Sequence, residues 1–366
     1  SGTGGDTTYS IVTGGAGAVA VTQVTNDILL TTITTTGTVT LVATAAAIED
    51  AASSNALADV TASAVSLTAA TGIGITSNAS VDLDVATVTI ATSAAGGVVL
   101  NLLDANNGGV TITDVDASTS GNVVITTTAG SAGTFAIVDL DANAGSVSFI
   151  ATEGNITVAG TGGVADSANG QSGPSTVALT ATAGTLTIGA PVTSDTGGIT
   201  LTAFSGITLN NANSDILVSG NSGAIVVDAN SNDNTTGTFT SSDSGASLNA
   251  SAGNGTITVT ADDIVLTGTI AAGSGAVLLA PSTVITIGLG DAAGNFSITD
   301  TELDRVTTTG IITIGNVAFA SAVLLDALTL DAKNITMLLD KVKAQAGITP
   351  VEKDGVQVIM LPQDLS

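Results

Sequence analysis

Pairs of aspartates one residue apart recur along this chain: Asp82-x-Asp84, Asp114-x-Asp116 and Asp139-x-Asp141. The adjacent Asp262-Asp263 and the triplet Asp300-x-Glu302-x-Asp304 extend the series. Two carboxylates on one side of a strand can divide acid and base roles in glycoside hydrolysis. They can also ligate Ca²⁺, a hard cation that takes oxygen ligands. Asp82 and Asp84 flank Leu83, and Asp139 and Asp141 flank Leu140, so an inward leucine is expected to turn both pairs outward. None of the acidic groups falls in a helix–loop–helix calcium loop or a glycine-rich nonapeptide. Asp82, Asp84, Asp139, Asp141, Asp300, Glu302 and Asp304 are the candidate ligands for weak, multi-site calcium binding. A solvated acidic face is the plainer alternative. No cofactor is required.

Other chemistry is excluded by residue type. The chain has no His and no Cys, which removes Ser–His–Asp and Cys–His nucleophiles, disulfides and thiolate or imidazole metal sites. All five basic residues (Arg305, Lys333, Lys341, Lys343 and Lys353) lie in the last 62 positions. Six of the 31 acidic residues follow Asp304, so the first 304 residues hold 25 carboxylates and no cation. Net charge −26 opposes nucleic acid and anionic membrane as partners, because counterion release needs Lys and Arg. Sugar-stacking platforms are scarce, with six Phe, one Tyr and no Trp. A non-enzymatic protein is expected.

The elements that must carry these carboxylates are short strands. Apolar residues alternate with Thr or another small residue over three to five positions, and each segment ends in Gly, Asn, Asp, Ser or Ala. Val88-Thr89-Ile90 and Ile199-Thr200-Leu201 are examples. Period two is the pattern of a half-buried strand. Ile199, Ile207, Ile216 and Ile225 begin strands at intervals of 8, 9 and 9 residues. Asn-Gly and Asp-Gly hairpin turns are sparse, so the strands read as the sides of a solenoid whose coils hold roughly 20–30 residues. Some 14 coils at about 4.8 Å would make a rod on the order of 70 Å long. The expected fold is therefore all-β: a parallel β-helix (β-solenoid) body over 1–315 with a small α+β cap over 316–366.

Within that cap, Ile335, Leu338, Leu339 and Val342 recur at helical spacing, predicting a short helix over about 334–346. A hairpin turning at Asp354-Gly355 is expected over about 349–360. The motif apolar-Asp-Ala-polar recurs at Leu103–Asn106, Val115–Ser118, Leu140–Asn143, Val227–Asn230 and Leu330–Lys333, and reads as a corner at which Asp bonds its own backbone. Thr-x-Thr pairs such as Thr87/Thr89 and Thr200/Thr202 fit the outer face of strands. No run of 18 apolar residues exists, so membrane insertion is not expected. The first residues lack the basic-then-apolar pattern of a secretory leader.

The stretch from Val177 to Leu209, with Leu-Thr-Ala-Thr-Ala-Gly-Thr-Leu-Thr-Ile-Gly-Ala-Pro-Val over 179–192, resembles the repeats of filamentous-haemagglutinin-type, two-partner-secretion exoproteins. Gly198-Ile-Thr-Leu-Thr-Ala203 does so too. Asp300-Thr-Glu-Leu-Asp-Arg-Val306 and Ile312-Thr-Ile-Gly315 resemble a segment that links such repeats in large bacterial surface proteins. The resemblance spans residues 60–315. It implies a right-handed parallel β-helix, secretion to the cell surface, and a role in adhesion or surface structure without catalytic residues.

Two functions follow as expectations. The first is an extracellular structural subunit that polymerises head to tail, the cation-bearing tail of one copy docking on the acidic end of the next. Its interface would draw on Tyr9, Ile11, Val12, Arg305, Lys333, Lys341, Lys343 and Lys353. The second is an adhesin stalk that binds surface glycans.

Overall fold

The computed structural model describes residues 5–51, 57–75, 80–92, 96–104, 108–117, 119, 121–128, 130, 132–142, 145–165, 176–220, 222–234, 236–290, 292–316, 320–326, 335–337 and 359–360. The chain divides into two compact units, Ser1–Gly184 and Thr185–Ser366. Each is a β-solenoid of short parallel strands.

In the first unit, Val98–Leu102, Val123–Thr127, Val147–Ala151 and Val177–Ala181 stack in register. Val98, Val123, Val147 and Val177 lie on one another, and so do Leu100, Ile125, Phe149 and Leu179. All eight are buried to within 1%. A second ladder runs Val39, Val65, Val88, Ile112, Ile137 and Val158. Alternation puts every second side chain inside, and each buried Val, Leu or Ile contributes about 1.5–3 kcal/mol. The rungs Val98, Val123 and Val147 follow one another at 25 and 24 residues. The core is mostly aliphatic; its buried rings Phe135 and Phe149 lie with centroids 5.9 Å apart.

The second unit builds each coil from three strands. Ile199–Ala203, Ile207–Leu209 and Asp215–Val218 make one coil. Ile225–Asp228, Thr238–Ser241 and Ser247–Asn249 make the next, and Ile257–Ala261, Asp263–Leu266 and Thr269–Gly273 the one after. Each strand pairs in parallel with its counterpart one coil on. Coil length varies: Ile199, Ile225, Ile257, Val277 and Ile312 stack at intervals of 26, 32, 20 and 35 residues. One corner cannot vary. A Cβ on Gly255 would run into the carbonyl of Gly223, one on Gly275 into that of Gly255, and one on Gly310 into that of Gly275. Backbone stacks on backbone there, so only glycine fits.

Strands continue past residue 315. Ala320–Asp326 pairs with Ile285–Gly290, and Ile335–Met337 pairs in parallel with Ile312–Ile314. The helix expected from residue 334 is thus a strand over 335–337. Ile335-Thr336-Met337 repeats the apolar-Thr-apolar unit of the other coils, and stacking on Ile312-Thr313-Ile314 satisfies a period of two rather than 3.6. Ile359–Met360 pairs in parallel with Thr336–Met337. The rest of the expected helix and hairpin lies outside the described residues. The one described helix, Asp300–Asp304, is five residues long.

The corner reading of the Asp-Ala motif fits Asp104, which has φ 39° and accepts Gly108 N at 3.0 Å and Gly109 N at 3.1 Å. It also fits Asp228, which ends its strand and accepts Asn230 N at 3.2 Å, but not Asp116 and Asp141, which lie inside strands. In those two the apolar residue before the Asp is a rung of a ladder, and pairing with the next coil holds the Asp in the extended form.

Candidate functional site: carboxylates buried between coils

Asp50 ends the strand Ile48–Asp50, Asp59 immediately precedes Val60–Ala69, and Asp82 is the second residue of Val81–Thr92. Coil stacking in the first unit brings all three together. They are 3%, 1% and 6% exposed, and Glu49 beside them is 1% exposed. Asp59 Oδ2 accepts the Asp82 backbone N–H at 2.9 Å. Its Oδ1 is buried without a donor, and its carboxyl lies against that of Asp50. Burial, then the charges of Asp50 and Asp82, push the Asp59 carboxyl up to about 8 against the single opposing backbone N–H. Burial also raises Asp82, against hydrogen bonds from Asn101 Nδ2 at 3.1 Å and Ser80 Oγ at 3.2 Å. Glu49 accepts Ile75 N at 3.3 Å. The expected outward, solvated Asp82 is therefore a buried residue. Its side chain does leave the Leu83 face, but Asn101 of the next coil, directly in register with it, covers it. Asp84 is half-buried on the far side of Leu83.

Asp139 and Asp141 meet a second pair. Asp141 is in register with Asp116, and the charges of Asp114 and Asp139 act on Asp116. Burial first raises both Asp116 and Asp139; the charge of Asp114 adds to each, and that of Asp139 adds to Asp116. Both remain half-buried, so this is a partly solvated acidic ladder across two coils.

In the second unit the buried carboxylate is Asp262. Its Oδ2 accepts Gly237 N at 3.0 Å, and its Oδ1 accepts Ser282 Oγ at 3.0 Å and Thr283 Oγ1 at 2.8 Å. Asn230, fully buried, donates to Ser282 Oγ at 2.7 Å and to the carbonyl of Asn234. Asp263 takes Ser297 N at 2.8 Å and is raised by burial, with the charge of Glu302 adding to it.

The triplet Asp300, Glu302 and Asp304 lies on the helical turn, where residues two apart point away from each other. Glu302 is committed to structure. Its carboxylate accepts Leu266 N at 2.9 Å, Thr299 N at 2.9 Å and Thr299 Oγ1 at 2.8 Å, completing a capping box. Arg305 caps the same turn and sends its guanidinium to the carbonyl of Thr267. That bond ties Arg305 to the coil before its own, since Val306 stacks on Ile270. Lys333, Lys341, Lys343 and Lys353 lie outside the described residues. Among the described residues no three carboxylates form a metal-coordinating group.

Tyr9, Ile11 and Val12 sit on Thr7–Val12, which pairs with Ile28–Thr34. Val19–Gln23 pairs with Thr38–Ala43. Among the described residues each of these two strands has one paired edge. Tyr9 and Ile11 are half-exposed, and Val12 and Val24 are 72% and 62% exposed. Gln23 O accepts Thr44 N at 2.8 Å, so the backbone groups of Gln23 face the next coil and, by alternation, those of Thr22 face the open edge. A separate cavity of about 320 Å³ in this unit is lined by Thr35, Thr61, Ser63, Asp84 and Asp104 among others.

The residues that the sequence pattern passed over are Asp50 and Asp59. Each adjoins an inward strand residue, Ile48 through Glu49 and Val60 directly, which is a sign of burial. Their meeting depends on coil length, which no local motif encodes. Comparison with family models, with curated proteins and with solved structures returned no match.

Proposed function

We propose that this chain is an extracellular structural protein whose solenoid coils self-assemble head to tail into a surface filament or layer. The observation that carries this reading is the open edge of the first unit. Among the described residues two strands there have one paired edge each, next to half-exposed Tyr9 and Ile11 and exposed Val12 and Val24. Open edges of this kind template further strands. The occupant is a second copy, because a coil of the same parallel spacing continues the ladder without change of geometry. The charge split supports that partner: the acidic first 304 residues carry the open edge, and every cation lies beyond them. Calcium enters as a screen, held weakly by the partly solvated ladder of Asp114, Asp116, Asp139 and Asp141.

Negative-stain electron microscopy of the full chain, with and without millimolar Ca²⁺, tests this. The wild type forms long uniform fibres. Thr22→Pro, which removes an edge N–H and leaves the inner ladder intact, gives isolated particles. Isolated wild-type particles in both conditions, or fibres from Thr22→Pro, would overturn the reading. The cavity lined by Thr35, Thr61, Ser63, Asp84 and Asp104 favours a second reading, an adhesin that holds a surface glycan. Saturable glycan binding that Asp84→Ala abolishes would move that reading to first place.

A further inference from the structure

One corner of the second unit is much longer than its neighbours. Between the first and second strands of a coil, Ile199–Ala203 is followed by three residues, 204–206, and Ile257–Ala261 by one, Asp262. In the coil between them the same corner holds nine, 229–237. This loop folds back on itself. Asn230 is fully buried, and its Nδ2 donates to the carbonyl of Asn234 and, at 2.7 Å, to Ser282 Oγ. Both amide hydrogens are thereby used, which fixes the orientation of the amide. Its Oδ1 is buried and no donor reaches it. A buried acceptor without a partner is costly, so this oxygen points to a ligand. We propose that the turn 228–234 is a Ca²⁺ site, whose ligands are the Asp228 carboxylate, Asn230 Oδ1, Asn232 Oδ1 and the carbonyl oxygen of Asn234.

Residue chemistry selects the ion. From 228 to 237 the side chains that can ligate are those of Asp, Asn, Ser and Thr, all oxygen donors, and residues 1–304 hold no Lys, Arg or His to serve Asn230 instead. An oxygen-only set rich in amides and carbonyls suits Ca²⁺, whereas Mg²⁺ demands a near-ideal octahedron and keeps its water. The spacing agrees. Side-chain oxygens at the first, third and fifth places, a tight turn at the sixth and a carbonyl at the seventh open a calcium-binding loop. Here the sixth place is Asp233, with φ 53°. The turn is already closed, since Asp233 N donates to Asn230 O at 3.0 Å and Asn234 N to Asn232 Oδ1 at 3.2 Å. The loop joins two strands rather than two helices, and Phe239 stands at the twelfth place, where a bidentate Glu would complete it.

The frame around the turn is rigid. Asp262 holds both of its ends: Oδ2 accepts Gly237 N, and Oδ1 accepts the Ser282 hydroxyl that Asn230 also reaches. Burial raises Asp228 against the N–H of Asn230, and the charge of Asp233 adds to the rise, so a divalent cation relieves a repulsion already present. With Asp228 and Asp233 as its only acids and no bidentate Glu, the turn should bind with a Kd of about 10⁻⁴–10⁻³ M. The site lies within the second unit. It needs neither assembly nor the ladder of Asp114, Asp116, Asp139 and Asp141.

The test is thermal unfolding of the full chain across a Ca²⁺ titration into the millimolar range, with Mg²⁺ as the comparison. Wild-type Tm rises with Ca²⁺ and rises less with Mg²⁺. Asp228→Asn keeps an acceptor for Asn230 N but loses the charge, and needs about tenfold more Ca²⁺ for the same rise. Asp116→Asn combined with Asp139→Asn, in the first unit, leaves the response as in wild type. An undiminished response in Asp228→Asn, its loss in the ladder variant, or equal responses to Mg²⁺ and Ca²⁺ would each overturn the site. So would a wild type that does not respond, because water would then serve Asn230 Oδ1. Should Asp228→Asn fail to fold, half-buried Asn232→Ala takes its place and is held to the same outcomes.

Discussion

Asp59 in the first unit and Asp262 in the second are both buried carboxylates at a junction between strands, yet their surroundings differ. Asp262 is met by three donors from neighbouring coils: Gly237 N, Ser282 Oγ and Thr283 Oγ1. Asp59 is met by one, the N–H of Asp82, and by a second carboxyl. The cost of burying a carboxylate is set by how many donors reach it. The solenoid supplies those donors from the coil before or after, so the fate of each acid depends on what is stacked against it. One acid has donors on both oxygens; the other has a donor on one oxygen only.

The sharpest way to break this contrast is to remove the anchored acid. Asp262→Ala strands the buried Gly237 N–H and both hydroxyls, and should cost about 3 kcal/mol in urea unfolding at neutral pH. A loss below about 0.5 kcal/mol would mean the donors are satisfied elsewhere. Replacing each acid by its amide comes next, because the sign should differ between the two. Asp262→Asn destabilises, since one acceptor oxygen becomes a donor facing donors. Asp59→Asn stabilises above neutral pH. The sign follows from linkage: the folded carboxyl of Asp59 is raised to about 8, above its unfolded value, so the native state binds the extra proton between the two. Its contribution is complete below the unfolded value and is lost as pH rises through about 8. Equal signs for the two amide variants, read by thermal unfolding at pH 8–9, would erase the distinction.

Smaller effects sharpen the picture. Ser282→Ala takes one donor from Asp262 and one acceptor from Asn230, and should lower stability by about 1–2 kcal/mol by denaturant titration. Glu302 is a third carboxylate well supplied with donors. Thr299→Ala removes its hydroxyl donor and the helix cap together, and should cost about 1 kcal/mol. A larger loss for Thr299→Ala than for Ser282→Ala would show that capping, rather than donor supply to a buried acid, dominates in the second unit.

Much of the fold was legible because it rests on a local rule. Val88-Thr89-Ile90 and Ile199-Thr200-Leu201 alternate by themselves, and their outer residues are indeed inside. The same rule misled at Ile335, where a few apolar residues fitted a helical spacing and the strand unit Ile335-Thr336-Met337 was the better match. It was also too coarse for Asp82, which points away from Leu83 as alternation requires but is covered by Asn101 one coil on.

The sequence by itself determined the class of fold, the identity of the inward residues and the absence of thiol and imidazole side chains, because side-chain alternation and residue type need no partner to be read. Only the tertiary structure decided which carboxylates meet. Asp50, Asp59 and Asp82 are separated by 9 and 23 residues, and strands stacked one coil apart lie 19 to 36 residues apart. Corner length sets the register of one coil on the next, and that register brings an acid opposite a donor, as for Asp262, or opposite another acid, as for Asp59.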